Sequence, residues 1–481
     1  MSPRLADETL RQTGRGKICS MTRTRNLGYA DTCWPAEDGG PTREQAPTGI
    51  ERLLDSSSDS FKLLAGRPAS GAHMAVVGEE GRVYLLRSIF GPRTIDDPAE
   101  AVVELINPLT LETVTSSVVL PAGPWWAGGL AAHANGHIIV VSGRWIHRLD
   151  SKSLEVLAAR ELPVNRPHNS FVVLDDGTVV LKDIDRTLEA PAQLHALDPM
   201  TLEDRCAPVS LGETVIARLS ADSNTVYAVG VDHAMRIHWN GTRLQVDPDW
   251  RHNYRVLDGH GYGWDPVVSA GRLWFLDQGR HRFRISMRGS GLDEGPVRLH
   301  SIALSDSSAA TEVVICGERN GAITNPPLID ADRMVAIGYD SANGWITAYA
   351  IPEDVSATPT ELWRKPLHTA PHLLRFAGSG ELLAADHRAP WPWATRAGSW
   401  LLDRWLADPL RRSGERTPRM EPRLARLVAG EDMVVLDIET GEEKARARIP
   451  VVAQSVMFPT AGENRDVIMS TVTSVFRVGM A

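Results

Sequence analysis

The sequence predicts an all-β fold, a single β-propeller of eight blades, because one hairpin pattern and one turn pattern recur along the chain. In the hairpin, a Gly, Asn or Asp pivot is followed at once by β-branched or aromatic residues, as in "LDDGTVVLK". Such pivots have backbone angles that most residues avoid. Eight pivots occur, at Gly81, Gly136, Gly177, Asn224, Gly271, Asp332, Gly380 and Asn464. Seven blades remain the alternative if the widest-spaced units are not separate blades.

The recurring turn joins strands downstream of several hairpins. It reads "INPLTLE", "LDSKSLE", "LDPMTLE" and "LDIETGE", beginning at residues 106, 149, 197 and 436. The Asn or Asp side chain can accept backbone N–H groups two residues on, which makes an Asx turn. Hairpins and turns share a period of about 47 residues once one long interval is set aside, and four short strands per period are typical of propeller blades.

The last repeat has only three strands before the chain ends, so the ring needs a fourth strand from elsewhere. The apolar stretch "FKLLAG" at residues 61–66 has no hairpin partner of its own. We expect it to complete the last blade and so remove an exposed strand edge. Residues 1–58 are polar and are predicted to form a mostly flexible tail, and residues 59–481 to form the propeller.

Residues 388–430 differ in composition from the repeats, and we expect them to interrupt the penultimate blade between its second and third strands. Leucines at i, i+4 and i+8 favour a short amphipathic helix. Tryptophan with arginine on such a helix suits a lid over a pocket, a membrane surface or a protein partner, whereas the alternative is packing on the propeller's own outer wall. The tryptophans of this insertion are Trp391, Trp393, Trp400 and Trp405.

The stretch "VVLDIETGEEKARARIP" resembles the repeat of quinoprotein-type propellers, in which an apolar run, Leu-Asp, Thr-Gly and a polar strand follow one another. The resemblance covers about one blade well and three others loosely, and it implies the fold. Quinone-dependent dehydrogenases of this type usually also have a tryptophan docking motif and often adjacent cysteines. This sequence has irregularly spaced tryptophans and no adjacent cysteines, so the quinone cofactor is not implied.

Three histidines are candidate ligands of a transition metal such as iron, zinc or copper. In a propeller, the segment that enters each innermost strand forms one rim of the central channel. Counting back eight or nine residues from the hairpin pivots places His73, His168 and His372 on this rim. Neutral imidazole is a common ligand of these metals, although backbone carbonyls in the loops could satisfy the rings instead. His168 is one residue out of register, which could turn its ring away.

The same rim carries further candidate residues. Trp126, Trp264 and Asn325 are predicted to shape a pocket for a small apolar or aromatic molecule. Asp265 and His260 are a candidate acid and base pair. The competing interpretation is that a carboxylate at the start of a strand bonds to backbone.

Histidines from several blades that converge on a metal are similar to the arrangement in carotenoid-cleavage oxygenases, which hold iron with four histidines. That architectural resemblance implies a metal-dependent oxygenase or lyase. Our leading hypothesis from the sequence is therefore an enzyme or small-molecule binder with its site at the axial rim. The alternative is a non-catalytic scaffold that holds another protein through the rim and the insertion.

Composition excludes some classes of function. The formal net charge of −9 gives no general attraction for nucleic acid. Four cysteines in 481 residues are too few for a disulfide scaffold. The sequence has no evident signal segment and no run long and apolar enough to span a membrane. We therefore expect a cytoplasmic protein, with any peripheral membrane contact or protein partner engaged through residues 388–430.

Overall fold

The computed structural model describes residues 27–55, 60–89, 98–282, 287–388, 430–449, 457–471 and 474–481. These residues form eight antiparallel sheets arranged as an eight-bladed β-propeller. In blades 1 to 7 the strands follow one another in chain order from the innermost to the outermost strand. Apart from two short 3-10 turns, Glu37–Gly39 and Glu79–Gly81, the described residues contain no helix, and so none that could cross a membrane.

The first four blades contain strands β2 to β18. Blade 1 is formed by β2 (Ala72–Val77), β3 (Val83–Ile89), β4 (Ala99–Ile106), β5 (Thr113–Ser116) and β6 (Leu120–Gly123), the last of which also pairs with β4. Blade 2 is formed by β7 (Gly129–Ala132), β8 (His137–Ser142), β9 (Trp145–Asp150) and β10 (Val156–Glu161). Blade 3 is formed by β11 (Phe171–Val173), β12 (Val179–Lys182), β13 (Gln193–Leu197) and β14 (Val209–Ser210). Blade 4 is formed by β15 (Ser220–Asp222), β16 (Thr225–Val229), β17 (His233–Trp239) and β18 (Leu244–Asn253).

The last four blades complete the ring. Blade 5 is formed by β19 (Val267–Ser269), β20 (Arg272–Leu276), β21 (Arg298–Ala303) and β22 (Ala310–Val314). Blade 6 is formed by β23 (Leu328–Asp330), β24 (Val335–Asp340), β25 (Trp345–Ala350) and β26 (Thr360–Pro366). Blade 7 is formed by β27 (Leu374–Phe376), β28 (Glu381–Arg388), β29 (Gly430–Asp437) and β30 (Glu443–Ile449). Blade 8 is formed by β31 (Met457–Gly462), β32 (Asp466–Thr471), β33 (Ser474–Met480) and β1 (Phe61–Pro68).

The ring closes as the sequence predicts, with a strand from near the start of the chain completing the last blade. Strand β1 pairs antiparallel with β33, and Phe61 lies opposite Met480. This pairing covers the edge that β33 would otherwise expose. Because closure joins distant parts of the chain, blade 8 cannot form until almost the whole chain has been made.

All eight predicted pivots lie in the turns between the first and second strands of the eight blades. At five of them the pivot glycine itself has a positive φ, between 66° and 82°. In blades 4, 6 and 8 a neighbouring residue takes the left-handed conformation instead: Ser223, Met334 and Arg465. The predicted count of eight blades is therefore confirmed.

The predicted Asx turns are also present, between the third and fourth strands of four blades. The side chain of Asp150, for example, accepts the N–H groups of Lys152 and Ser153 at 2.9 and 2.7 Å. The fifth residue of each turn has a positive φ, and in the turn that joins β29 to β30 this residue is Gly441. Leucine takes this strained conformation at the other three turns, where its side chain is buried in the blade core.

The boundaries of the predicted insertion fit the ring, since Arg388 at the end of β28 pairs with Gly430 at the start of β29. These are the second and third strands of blade 7, as expected. Residues 389–429 lie outside the described residues, as do the predicted helix and the tryptophans Trp391, Trp393, Trp400 and Trp405.

The flexible tail was predicted over residues 1–58, of which residues 1–26 and 56–58 lie outside the described residues, and residues 27–55 differ from that prediction. Residues 27–55 do not project from the ring; they run through its centre, and Trp34 and Leu53 are fully buried there. Backbone hydrogen bonds to the innermost strands account for the difference, because they satisfy the polar groups of a segment with little secondary structure of its own. We call residues 27–55 the axial segment.

Candidate functional site on the propeller axis

The axial segment contacts all eight blades through hydrogen bonds. Its backbone carbonyls accept N–H groups from the innermost strands of blades 1, 2, 4, 5 and 7 at 2.8 to 2.9 Å. Blade 3 donates the N–H of Val173 to the Tyr29 hydroxyl at 2.8 Å. Blades 6 and 8 accept through the carbonyls of Pro327 and Ala461, from Gln45 Nε2 and Cys33 Sγ respectively. The centre of the described ring is thus filled by the chain's own backbone.

Charged side chains of the axial segment meet an arginine and a histidine of the blades at one level of the channel. Asp38 Oδ1 lies 2.7 Å from Nδ1 of His372, and Asp38 Oδ2 accepts Arg43 Nη1 at 2.9 Å. Glu37 Oε1 lies 2.9 Å from Nε of Arg218. All five side chains are buried. The charges therefore neutralise one another within the molecule, as buried ions require.

Arg218 connects more parts of the axis than any other residue of this cluster. Its guanidinium donates to the carbonyls of Asn169 in blade 3 and Ala127 in blade 2, and lies 3.5 Å from Oδ2 of Asp265 in blade 5. It also lies 5.5 Å from the ring centroid of Phe458 in blade 8, on the opposite side of the ring. A planar guanidinium with several N–H donors can make these contacts at the same time, whereas a lysine ammonium cannot.

The two adjacent carboxylates of the axial segment differ in acidity. Burial raises the pKa of Glu37 above its ordinary value, and the nearby Arg218 and Arg43 offset that effect only in part. Burial also acts on Asp38, but His372 and Arg43 outweigh it and hold the pKa of Asp38 below its ordinary value. Of the two carboxylates, Glu37 is therefore the one that takes up a proton more readily.

The three histidines predicted as metal ligands do not converge. The imidazole of His73 uses both nitrogens on backbone, because Nδ1 lies 3.0 Å from the Gly71 carbonyl and Nε2 accepts the Gly128 N–H at 3.3 Å. Burial lowers the pKa of His73 to about 4, so the ring is neutral. These contacts match the alternative that we described for loop histidines.

His168 also turns toward backbone, as its one-residue offset suggested. Its Nδ1 lies 3.1 Å from the Gly143 carbonyl, and burial lowers its pKa to about 4. The next residue, Asn169, contacts the axial cluster through the carbonyl that accepts from Arg218. Counting back eight residues from Gly177, as for the other blades, gives Asn169. The residue that faces the axis in blade 3 is therefore Asn169, and His168 precedes it.

Among the described residues, His372 is the only predicted metal ligand in a group that could hold a cation. Its ligand atoms and those of Glu37 and Asp38 all lie within 4.8 Å of one another. Asp38 takes Nδ1, while Nε2 has no hydrogen-bond partner in the described part of the chain and lies 3.8 Å from Glu37 Oε1. The nearby guanidinium groups of Arg43 and Arg218 already compensate both carboxylates, so the charges present disfavour an added cation.

The predicted acid and base residues have separate partners. Asp265 Oδ1 accepts the backbone N–H of Arg218 at 2.6 Å, the backbone role that was the competing interpretation. His260 lies in the loop before β19, where its Nδ1 is 3.2 Å from Oδ2 of Asp277. Nε2 of His300 lies 3.3 Å from the same oxygen of Asp277.

The three predicted pocket residues lie where the chain enters the innermost strands. We call this side of the ring the entry face. Trp126 packs against an apolar cluster that includes the buried Trp264, and the Arg186 guanidinium lies 5.6 Å from its ring centroid. Asn325 instead bonds across to the next blade, where Nδ2 donates to the Ala370 carbonyl. The aromatic residues thus help to close the channel rather than line an open pocket.

Lys182 is a buried charged residue that the sequence analysis did not single out. Its Nζ donates to Oδ1 of Asn169 at 3.1 Å and to the Val215 carbonyl at 2.7 Å, between blades 3 and 4. Burial lowers its pKa to about 7. Asn169 therefore links this lysine to the axial cluster.

A small cavity adjoins the axial cluster, with room for roughly one water molecule. It is lined by Glu37, Arg43 and Ser170, together with backbone and apolar groups. A cavity of this size is too small for an organic substrate, for which pockets of about 300 Å³ or more are usual.

Sequence reasoning missed Glu37, Asp38, Arg43 and Arg218. The first three belong to a polar segment without periodicity, which composition assigns to a tail. One signal was available: Tyr29 and Trp34 are large aromatic residues of the kind that a flexible tail seldom contains. Arg218 lies six residues before its pivot, Asn224, because the hairpin of blade 4 has a shorter turn, so a fixed count of eight passes over it.

Two solved structures align with most of this chain. BamB from Moraxella catarrhalis aligns with a TM-score of 0.51 at 10% identity, covering 87% of this chain and 100% of that one. Quinohemoprotein alcohol dehydrogenase from Comamonas testosteroni aligns with a TM-score of 0.55 at 9% identity, covering 93% and 80%. Both alignments extend over most of the ring and agree with the β-propeller fold. The likeness to carotenoid-cleavage oxygenases gains no support from these comparisons, no family model matches the sequence, and no curated protein matches it significantly.

At such low identity, these structures inform the fold and leave the activity open. The function of this chain must therefore be inferred from its own residues on the axis.

Proposed function

We propose that this protein is a non-catalytic scaffold that binds a macromolecular partner through the entry face of its propeller. One observation carries the proposal: the axial segment fills the centre of the ring and bonds to all eight blades. An enzyme of this architecture would need an open axial site with reactive groups free to meet substrate. Here the charged groups at that level are engaged with one another.

The entry face has the composition of a binding surface. The loop between β12 and β13 contains Arg186, whose guanidinium lies over the ring of Trp126, and also the exposed Leu188. Val256 and Leu257 are exposed in the loop between β18 and β19 on the same face. Interfaces are enriched in aromatic residues and arginine, and exposed apolar side chains supply the buried area.

The scaffold is tested with two variants of equal charge on opposite faces. Leu188→Glu/Val256→Glu alters the entry face, and Leu109→Glu/Met200→Glu alters exposed apolar residues of the Asx turns on the other face. In quantitative affinity purification of the full chain, we expect at least one protein to be retained by the wild type and by the Asx-turn variant and to be lost from the entry-face variant. Binding must then be reproduced with purified components. Identical retention profiles for the three proteins would contradict the proposal.

A metal-dependent enzyme is the second candidate, favoured by the proximity of Glu37, Asp38 and His372. This candidate keeps the small apolar or aromatic substrate that the sequence predicted. Of the three predicted metal ligands, however, it would use only His372. Elemental analysis of the purified full chain separates the two candidates. The scaffold proposal expects no stoichiometric iron, zinc or copper. Stoichiometric metal that is lost in His372→Asn and kept in His73→Asn would favour the enzyme.

The proposal also includes a location for the protein and a role for residues 388–430. We expect a cytoplasmic scaffold whose insertion adds a protein or peripheral membrane contact. Deleting residues 391–427 and measuring liposome binding tests the membrane contact, and failure of the intact chain to bind would remove it.

A further inference from the structure

The outer strand of blade 1 differs from the other outer strands of the ring. Strand β5 and the three residues that follow it read "TVTSSVV", with no charged residue and no proline. In the other blades, every described outer strand longer than two residues contains a charge, for example Arg160 in β10, Glu312 in β22 and Lys62 in β1. Charges and prolines are the usual means by which proteins prevent an edge strand from pairing with another chain.

The side chains of this stretch are open to solvent. Val114, Val118 and Val119 are exposed by 66%, 69% and 52%. Three β-branched apolar residues within six positions form a concentrated exposed patch, whereas the exposed apolar residues of the other described outer strands occur singly. The patch lies on the circumference of the ring, away from the entry face and the axis.

The backbone of β5 also has polar groups directed outward. The N–H of Ser117 points inward and donates to the Val103 carbonyl at 2.9 Å. Since backbone groups alternate in direction along a strand, Ser116 directs its N–H and C=O away from β4. A register shift interrupts the pairing near Val114, but outer strands of blades 2, 6 and 7 have a similar shift, so it does not set blade 1 apart.

We propose that β5 pairs with β5 of a second copy of this chain, and so joins two propellers side by side through blade 1. A suitable partner strand must be uncharged, rich in β-branched residues and open along one edge, and β5 of a second copy has all three properties. An antiparallel pair related by a two-fold axis brings Val and Thr side chains together with no like charges opposite each other. The same pairing through the centre of β30, which reads "EKARARI", would place Lys444 opposite Arg448 and Arg446 opposite its own copy, so that like charges meet. This inference does not depend on the proposed scaffold function.

The interface is small, so the dimer forms reversibly with a dissociation constant that is roughly micromolar or weaker. Each copy has a formal charge of −9, and the resulting repulsion opposes association. Added salt screens that repulsion, and the strand contact itself has no ion pair to lose. Salt should therefore strengthen this dimer, the opposite of its effect on an interface held by ion pairs.

Sedimentation velocity of the full chain over a concentration series tests the proposal. Val114→Lys/Val118→Lys adds two charges at the edge of blade 1, and Val314→Lys/Leu362→Lys adds the same two charges at the edges of blades 5 and 6. We expect the wild type and the second variant to dimerise equally, and the first variant to have a dissociation constant raised by about tenfold or more. Equal thermal stability of the variants, checked by circular dichroism, excludes misfolding as the cause.

Hydrogen exchange supplies an independent measurement on the unaltered chain. The Ser116 amide should become more protected as protein concentration rises, and amides of β22 should not. A wild type that remains monomeric up to its solubility limit, or a dimer that both double variants weaken equally, would overturn the proposal. A dimer that neither variant weakens would also overturn it.

Discussion

Arg218 of blade 4 and Phe458 of blade 8 lie on opposite sides of the ring, and yet the guanidinium is 5.5 Å from the centroid of the aromatic ring. This contact spans the axis of the propeller. Around it the axial segment contributes Glu37, whose carboxylate lies 2.9 Å from Nε of Arg218. The centre of the ring is therefore a packed polar core, and Arg218 is the residue through which most of its contacts pass.

Replacing Arg218 should destabilise the whole ring. Arg218→Ala leaves Glu37 buried beside one remaining arginine, and removing one partner of a buried charge pair costs about 3–5 kcal/mol. Arg205→Ala is the matched control, because Arg205 also lies over an aromatic ring, Trp239, at 5.1 Å but is exposed. We expect that control to cost about 1 kcal/mol or less. Equal losses in the free energy of unfolding for both variants would show that the axial cluster contributes little.

Stability should fall in mild acid because several histidines are buried in the neutral form. Burial lowers the pKa to about 4 for His73, His147, His168 and His368, and to about 3 for His387. The unfolded chain takes up protons near the ordinary histidine pKa of about 6.5, whereas the folded chain does not until the pH is far lower. The free energy of unfolding should therefore decrease as the pH falls from about 6.5 to about 4. Denaturant unfolding across that range measures the slope.

A single substitution tests the source of that slope. His147 is buried in blade 2, and within the described residues neither of its ring nitrogens has a hydrogen-bond partner. His147→Leu should reduce the pH dependence by about one proton and, at pH 4, relieve about 3 kcal/mol of destabilisation. An unchanged slope in this variant would mean that His147 is not held neutral by burial.

A side chain at Gly441 is predicted to be destabilising for two separate reasons. Its φ is 71°, and a Cβ atom added there would lie 2.7 Å from Cδ2 of Trp363. Gly212 has a similar φ of 78° with open space around it, so Gly212→Ala measures the backbone strain alone. We expect Gly441→Ala to lower the free energy of unfolding by at least about 1 kcal/mol more than Gly212→Ala does. Similar losses would mean that Trp363 moves aside without cost.

The blades could be predicted from the sequence because their signals are local. A pivot such as Gly177 and a turn such as that of Asp150 each depend on a few neighbouring residues, and the same physics repeats eight times along the chain. Ring closure by β1 followed from a count of strands. These features needed no knowledge of which distant residues meet.

The contents of the axis could not be predicted, because they depend on the path of an irregular segment. Nothing local distinguishes Glu37 and Asp38 from the acidic residues of a solvated tail. Their burial follows from backbone hydrogen bonds to strands that are distant in sequence. The register that placed His372 near the axis was sound, but the group that it meets there, Asp38, comes from a part of the chain assigned to the tail.

Hydrogen exchange at the inward-facing amides of the innermost strands tests the central claim most directly. Five of these amides donate to carbonyls of the axial segment: those of Val77, Ala132, Ala221, Val268 and Arg375. If the segment fills the axis in solution, they should exchange as slowly as the amides that pair strands within the same blades. Fast exchange at these five amides, while the strand ladders stay protected, would show that the centre of the ring is open and would contradict the account.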